Sequence, residues 1–155
     1  MTRLAAMGDI RDLYAAGQQQ WPHVALTFDT FETHCLRILS ESDPSESTRQ
    51  YAGDLYLCCA GSTGNVLAAS IIAREGADTV RRAIARINRE PDFVEETVQE
   101  VWEKLIAGPE PRIAEYAGRG PLNAWLRVTA VHSALDSCRK RRVRDKRTQA
   151  LDSAF

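Results

Sequence analysis

The sequence predicts an all-α fold, and three observations carry that expectation. Apolar residues recur at three- and four-residue spacing through most of the chain. No run of β-branched and aromatic residues alternates with period two between turn signals. Turn-forming residues fall at intervals that suit helices: Gly17, "SDPSES" at 42–47, "GSTG" at 61–64, Gly76, Pro91, "GPEP" at 108–111 and "GRGP" at 118–121. Helices are therefore expected at 3–16, 28–40, 46–60, 64–75, 77–89, 92–107 and 121–143. The expected architecture is a compact helical bundle over 51–147, a helical N-terminal extension over 1–50 with "QQQWPH" as a linker, and a flexible tail over 148–155.

A chain of 155 residues with 44% hydrophobic and 26% charged residues fits one globular domain, alone or with an extension. Its first residues, "MTRLAAMGDIRDLYAAG", lack the apolar core of a signal peptide, and no run of about eighteen apolar residues follows. A cytoplasmic location is expected. Cys35, Cys58, Cys59 and Cys138 show no C-x-x-C spacing, and His23, His34 and His132 do not join them at zinc-ligand intervals. They read as reduced, buried small hydrophobes, and no metal or other cofactor is expected.

In the N-terminal extension, "FDTFETHCLRIL" carries Phe28, Phe31, Cys35, Leu36 and Leu39 along one helical face. That face is expected to add to the core; an inhibitory or partner-binding arm is the alternative.

The segment "PDFVEETVQEVWEKLIAGP" carries Asp92 as a candidate N-cap, Glu95 three residues on for a capping box, and Gly108-Pro109 as a stop. Val94, Val98, Val101 and Leu105, with Trp102 beside them, mark a core face. Glu96, Gln99, Glu100 and Glu103 share the opposite face. Like charges at these spacings repel by about 0.2–0.5 kcal/mol per pair. A solvated face, helped at its start by the helix dipole, is one reading; a docking face for a basic partner is the other.

The last long helix, "GPLNAWLRVTAVHSALDSCRKRRVRDKR", opens on Pro121. Ala124, Val128, Val131, Leu135 and Cys138 form its expected core stripe, and Trp125, Thr129, His132, Asp136 and Arg139 the polar stripe beside it. Seven cations lie within 139–147. Residues 127–147 carry eight Lys/Arg and two Asp/Glu, whereas 1–126 carry twelve against eighteen. The net charge of −1 thus joins an acidic body to a basic end. Helix-dipole stabilisation accounts for part of the run; contact with phosphates is the use that the excess suggests.

These two helices in this order resemble region 2 of bacterial sigma factors, the extracytoplasmic-function type of the sigma-70 family. Glu96, Val98-Gln99-Glu100 and Trp102 match the first motif; Leu122, Trp125, Leu126 and the arginine-rich run at 139–142 match the second. Leu122 stands where Phe is usual and His132 where Asn is common, and the match covers roughly 55–147. The resemblance implies a non-enzymatic transcription initiation domain. Its acidic helix would bind the β′ clamp helices of core RNA polymerase through Glu96, Gln99 and Glu100, with Glu95 and Glu103 as additions. Its basic helix and preceding loop would recognise and melt the promoter −10 element as single-stranded non-template DNA. The implied DNA-binding residues are Tyr116, Arg119, Asn123, Trp125, Arg127, Thr129, His132, Asp136, Arg139, Lys140 and Arg142, with Tyr116 offered for base stacking. It also implies an anti-sigma protein as a further partner, and a region 4 that would follow the point where this chain stops. The competing expectation is a helical interaction or regulatory module with a sigma-like fold that does not melt promoters. An enzyme is disfavoured, because the sequence offers no Gly-rich phosphate loop, no metal spacing and no Ser/Cys–His arrangement.

Overall fold

The computed structural model describes residues 3–39 and 44–154, with side chains from Asp9 onward. Seven α-helices follow one another: α1 (Arg3–Gln20), α2 (Phe28–Ile38), α3 (Glu46–Gln50), α4 (Ala52–Ser62), α5 (Val66–Ile87), α6 (Pro91–Ile106) and α7 (Leu122–Ala154), with a 3-10 turn at Arg112–Glu115 before the last. The described residues contain no strand.

Helix α4 sits at the centre. Its residues are apolar almost all round, and Leu55, Tyr56, Leu57, Cys58 and Cys59 are all essentially inaccessible. A short helix of that composition is stable only when covered on every side. Helices α1 and α5 cover it from two directions, and the 3-10 turn from a third. A single hydrophobic cluster runs from Ile10 and Leu13 through α4 to Leu126 and Ala134. Each fully buried Leu, Ile or Phe in it contributes about 1.5–3 kcal/mol. The N-terminal helices share this core. Tyr14 and Tyr56 donate their hydroxyls to the carbonyls of Leu26 and Val24, and Trp21 Nε1 donates to the Gly53 carbonyl at 3.1 Å. Cys35, Cys58 and Cys59 are buried free thiols, and burial pushes Cys59 up to about 12.

Local chemistry sets several helix starts. Thr27 caps α2 and Asn65 caps α5 through their side-chain oxygens. Ser45 and Thr48 form a reciprocal capping box on α3. The segment 40–43, with the expected end of α2 and the first residues of the "SDPSES" cluster, lies outside the described residues.

The helix boundaries differ from expectation in five places. Gly17 does not end α1; it is buried inside it, against the Tyr56 side chain. Tyr51 separates α3 from α4 where one helix was expected. Gly76 does not separate two helices. It lies inside α5, where a Cβ would come within 2.7 Å of Leu126 Cδ1 and 3.0 Å of the Trp102 ring, so its missing side chain lets α5 approach α6 and α7 closely. Helix α6 starts after Glu90 with Pro91 in its first turn, and no side chain caps it; the Asp92–Glu95 capping box does not form. Helix α7 continues to Ala154, so 148–154 is helix where a frayed tail was expected.

The face of α7 that packs is also not the expected one. Leu122, Leu126, Ala130, Ser133 and Ala134 are buried. Val128 and Leu135, assigned to the core stripe, are 51% and 41% exposed, and Ala124 is exposed with them. The two stripes are offset by two residues, about 200° around a helix. Small Ala and Ser at the real interface let the α5 and α7 backbones come together opposite Gly76, which selects that side.

Candidate functional site

The acidic face of α6 forms because Phe93, Val94, Thr97, Val101 and Leu105 anchor the opposite side in the core. Glu95, Glu96, Gln99, Glu100 and Glu103 are all exposed. They are not isolated carboxylates. Arg81 of α5 clamps Glu95 with both guanidinium nitrogens; that hydrogen bonding and charge hold the Glu95 carboxyl below its usual range and raise Arg81. Gln99 Nε2 donates to Glu103 Oε1 at 3.4 Å, and Ser137 Oγ of α7 donates to Glu100 Oε2 at 3.1 Å. Arg141 bridges the two helices, donating to Glu90 Oε2 at 3.4 Å and Glu96 Oε2 at 3.2 Å, with its guanidinium 5.1 Å from the centre of the Phe93 ring. One member of the cationic run is therefore turned onto the acidic helix.

Most of the rest of that run joins no ion pair among the described residues. Arg139 pairs with Asp136 on its own helix at 3.1 Å. Lys140, Arg142, Arg144, Lys146 and Arg147 are exposed and join no ion pair among the described residues. Every residue from 142 to 154 is exposed, so about 20 Å of α7 stands clear of the body.

The loop before α7 departs from its expected role. Tyr116, offered for stacking on a base, is only 1% exposed, and its hydroxyl donates to the Gly120 carbonyl at 2.5 Å. Its ring packs edge-on against half-buried Trp125, centroids 6.0 Å apart, so the Tyr116 face is not available to a base. Contacts from the N-terminal half strap this loop, among them Arg37 Nη2 donating to the Ala114 carbonyl at 3.1 Å. Ser47 Oγ donates to the Arg119 carbonyl at 3.1 Å, Gly118 lies against Thr48 with a positive φ of 70°, and the Leu122 amide donates to Asp54 Oδ2 at 3.1 Å. Burial raises the Asp54 carboxyl and the Leu122 hydrogen bond opposes that shift. Of the two expected loop residues, Tyr116 is buried and Arg119 is exposed.

Three other expected residues, Asn123, Arg127 and His132, line one groove between α5 and α7, of about 850 Å³. Thr129 is half-buried on α7 outside that lining. The sequence reading missed the groove's opposite wall, Arg82 and Arg86 of α5. Their four-residue spacing in "RRAIAR" was the available signal, hidden by the expected break at Gly76. The floor is aliphatic, formed by Ala83, Ile87, Ala124, Val128 and Val131, and no carboxylate lines it.

Compared with known families, curated proteins and solved structures, the chain matches none. No described helix is long and apolar enough to cross a membrane.

Proposed function

We propose that this chain is a transcription initiation domain of the sigma region 2 kind: it binds core RNA polymerase through α6 and promoter −10 DNA through α7. The observation that carries the reading is the segregation of exposed charge on two adjacent helices. Carboxylates and an amide line α6, and five exposed Lys and Arg without ion pairs crowd the free half of α7. Glu96, Gln99, Glu100 and Glu103 suit the forked guanidinium of arginines on a partner helix, and solvent-exposed pairs such as those they now make are weak enough to exchange. The cationic half displaces counterions from phosphates and supplies salt-dependent affinity.

The test is binding of the full chain to core polymerase, and to single-stranded and duplex −10 oligonucleotides across a salt series. Gln99→Ala and Glu96→Lys are expected to weaken polymerase binding about tenfold or more, the scale of losing one well-placed polar contact, with the helical circular dichroism unchanged. Unaltered affinity in both variants counts against the reading.

A second reading is favoured by one observation, the burial of Tyr116 under a loop strapped by Ser47, Thr48 and Asp54. It is a module of the same charge design that docks on partners without capturing an unstacked base. Equal affinity for duplex and single-stranded −10 DNA selects it.

A further inference from the structure

The apolar stripe Ala124, Val128, Val131 and Leu135 satisfies the pattern of a helix–helix seam, yet among the described residues only Val131 is half-buried against the core, and Ala124, Val128 and Leu135 are exposed. It stands at i, i+4, i+7 and i+11, spacing by which one helix receives another. Val128 is 51% exposed and Leu135 41%. Its first three residues form one side of the α5–α7 groove, and Ala83 and Ile87 complete the floor. The charged residues that edge that floor are Arg82 and Arg86 on one helix and Arg127 on the other, beside the polar side chains Thr79, Asn123 and His132. None of the three joins an ion pair among the described residues.

We infer that this groove receives an amphipathic helix of another protein, with an aliphatic seam and glutamate or aspartate flanks. Charge complementarity sets the flanks: three guanidinium groups in a groove lined by no carboxylate favour a negative occupant and repel a basic one. The floor sets the rest. Single-stranded nucleic acid is held largely by broad aromatic rings on which bases stack, and no Phe, Tyr or Trp lines this groove. An aliphatic floor between two helices instead suits the helix-in-groove mode of recognition. A second copy of this chain is a poor occupant, because its acidic helix, α6, already buries its apolar side in its own core. Asn123, Arg127 and His132 belong both to the groove and to the proposed DNA-binding set, so an occupant here also obstructs that set. The docking inference itself needs neither polymerase nor DNA.

The probe is a designed helical peptide with Leu at i, i+4, i+7 and i+11 and Glu on both flanks, titrated into the full chain and followed by fluorescence anisotropy and amide chemical shifts. A second peptide with Lys flanks and a single-stranded oligonucleotide serve as comparators. Saturable binding of the Glu peptide is expected, with shifts at Ala83, Ile87, Val128 and Val131. Binding should weaken about tenfold or more in Val128→Asp and in Arg82→Glu/Arg86→Glu, the loss that follows removal of one anchor of an interface. Because these positions are at the surface, both variants are expected to keep the parent's unfolding midpoint. The inference is overturned if the Lys peptide binds equally well, if neither substitution weakens the Glu peptide, or if the oligonucleotide alone shifts the groove residues.

Discussion

The two halves of α7 are one helix built to two different specifications. From Leu122 to Ala134 its residues answer to neighbours: Leu126 fills space opened by Gly76, and Asp54 receives the first amide. From 142 to 154 every residue is exposed, and six of the thirteen are charged. Packing cannot account for the second half, since burial contributes nothing there and crowded like charges oppose the helix. The comparison breaks if the two halves respond alike to substitution. Leu126→Ala is expected to cost about 2–5 kcal/mol in urea unfolding, the range for a buried Leu whose site collapses only partly. Replacing Arg142, Arg144, Lys146 and Arg147 together by Gln should change stability by less than about 0.5 kcal/mol, as for exposed positions generally. That quadruple variant should instead lower single-stranded DNA affinity and flatten its salt dependence.

Acid sharpens the same contrast, because it acts on the packed body and leaves Lys and Arg charged. His34 is buried on α2; Arg37 Nη2 lies 3.4 Å from its Nδ1, and its Nε2 has no hydrogen-bond partner among the described residues. Burial, helped by the nearby Arg37 charge, lowers its pKa from 6.5 to about 4. The folded state therefore binds fewer protons than the unfolded state between these values. The stability contributed by this neutral imidazole is complete above about pH 6.5 and falls away as pH drops toward 4. Linkage puts the loss at up to about 3 kcal/mol. His34→Leu should flatten the fall in urea midpoint between pH 7 and pH 4.5. An unchanged pH profile would remove His34 from the account.

The same contrast shows what the sequence could reveal. Helix α6 was legible in both its faces, because Val94, Val101 and Leu105 are strongly apolar and the intervening Glu residues strongly polar. The all-helical class was legible for a similar reason. The packed half of α7 was misread. Hydrophobicity alone favours Val128, Val131 and Leu135 over Ala130, Ser133 and Ala134, but interhelical distance favours small residues, and that distance is set by Gly76 more than forty residues earlier. Gly76 was itself misread as a stop, since a glycine that breaks a helix and one that admits a neighbour look alike in one sequence. Arg82 and Arg86 were lost with it. The burial of Tyr116 depends on Asp54 and Ser47 meeting a distant loop, which no local pattern encodes.

The finest test falls on the boundary between the halves, at Arg141. By sequence it belongs to the cationic run, but its side chain is only 25% exposed, held by Glu90, Glu96 and the Phe93 ring. A guanidinium so engaged is not free to displace counterions from DNA. Arg144→Gln should therefore reduce the slope of log affinity against log salt by about 0.7 for single-stranded DNA, the share of one phosphate contact. Arg141→Gln should leave that slope unchanged and lower stability by less than about 1 kcal/mol. If both substitutions flatten the slope equally, Arg141 leaves its carboxylates when DNA arrives. The Ser137–Glu100 hydrogen bond is then what joins the far half of α7 to α6 in the bound state.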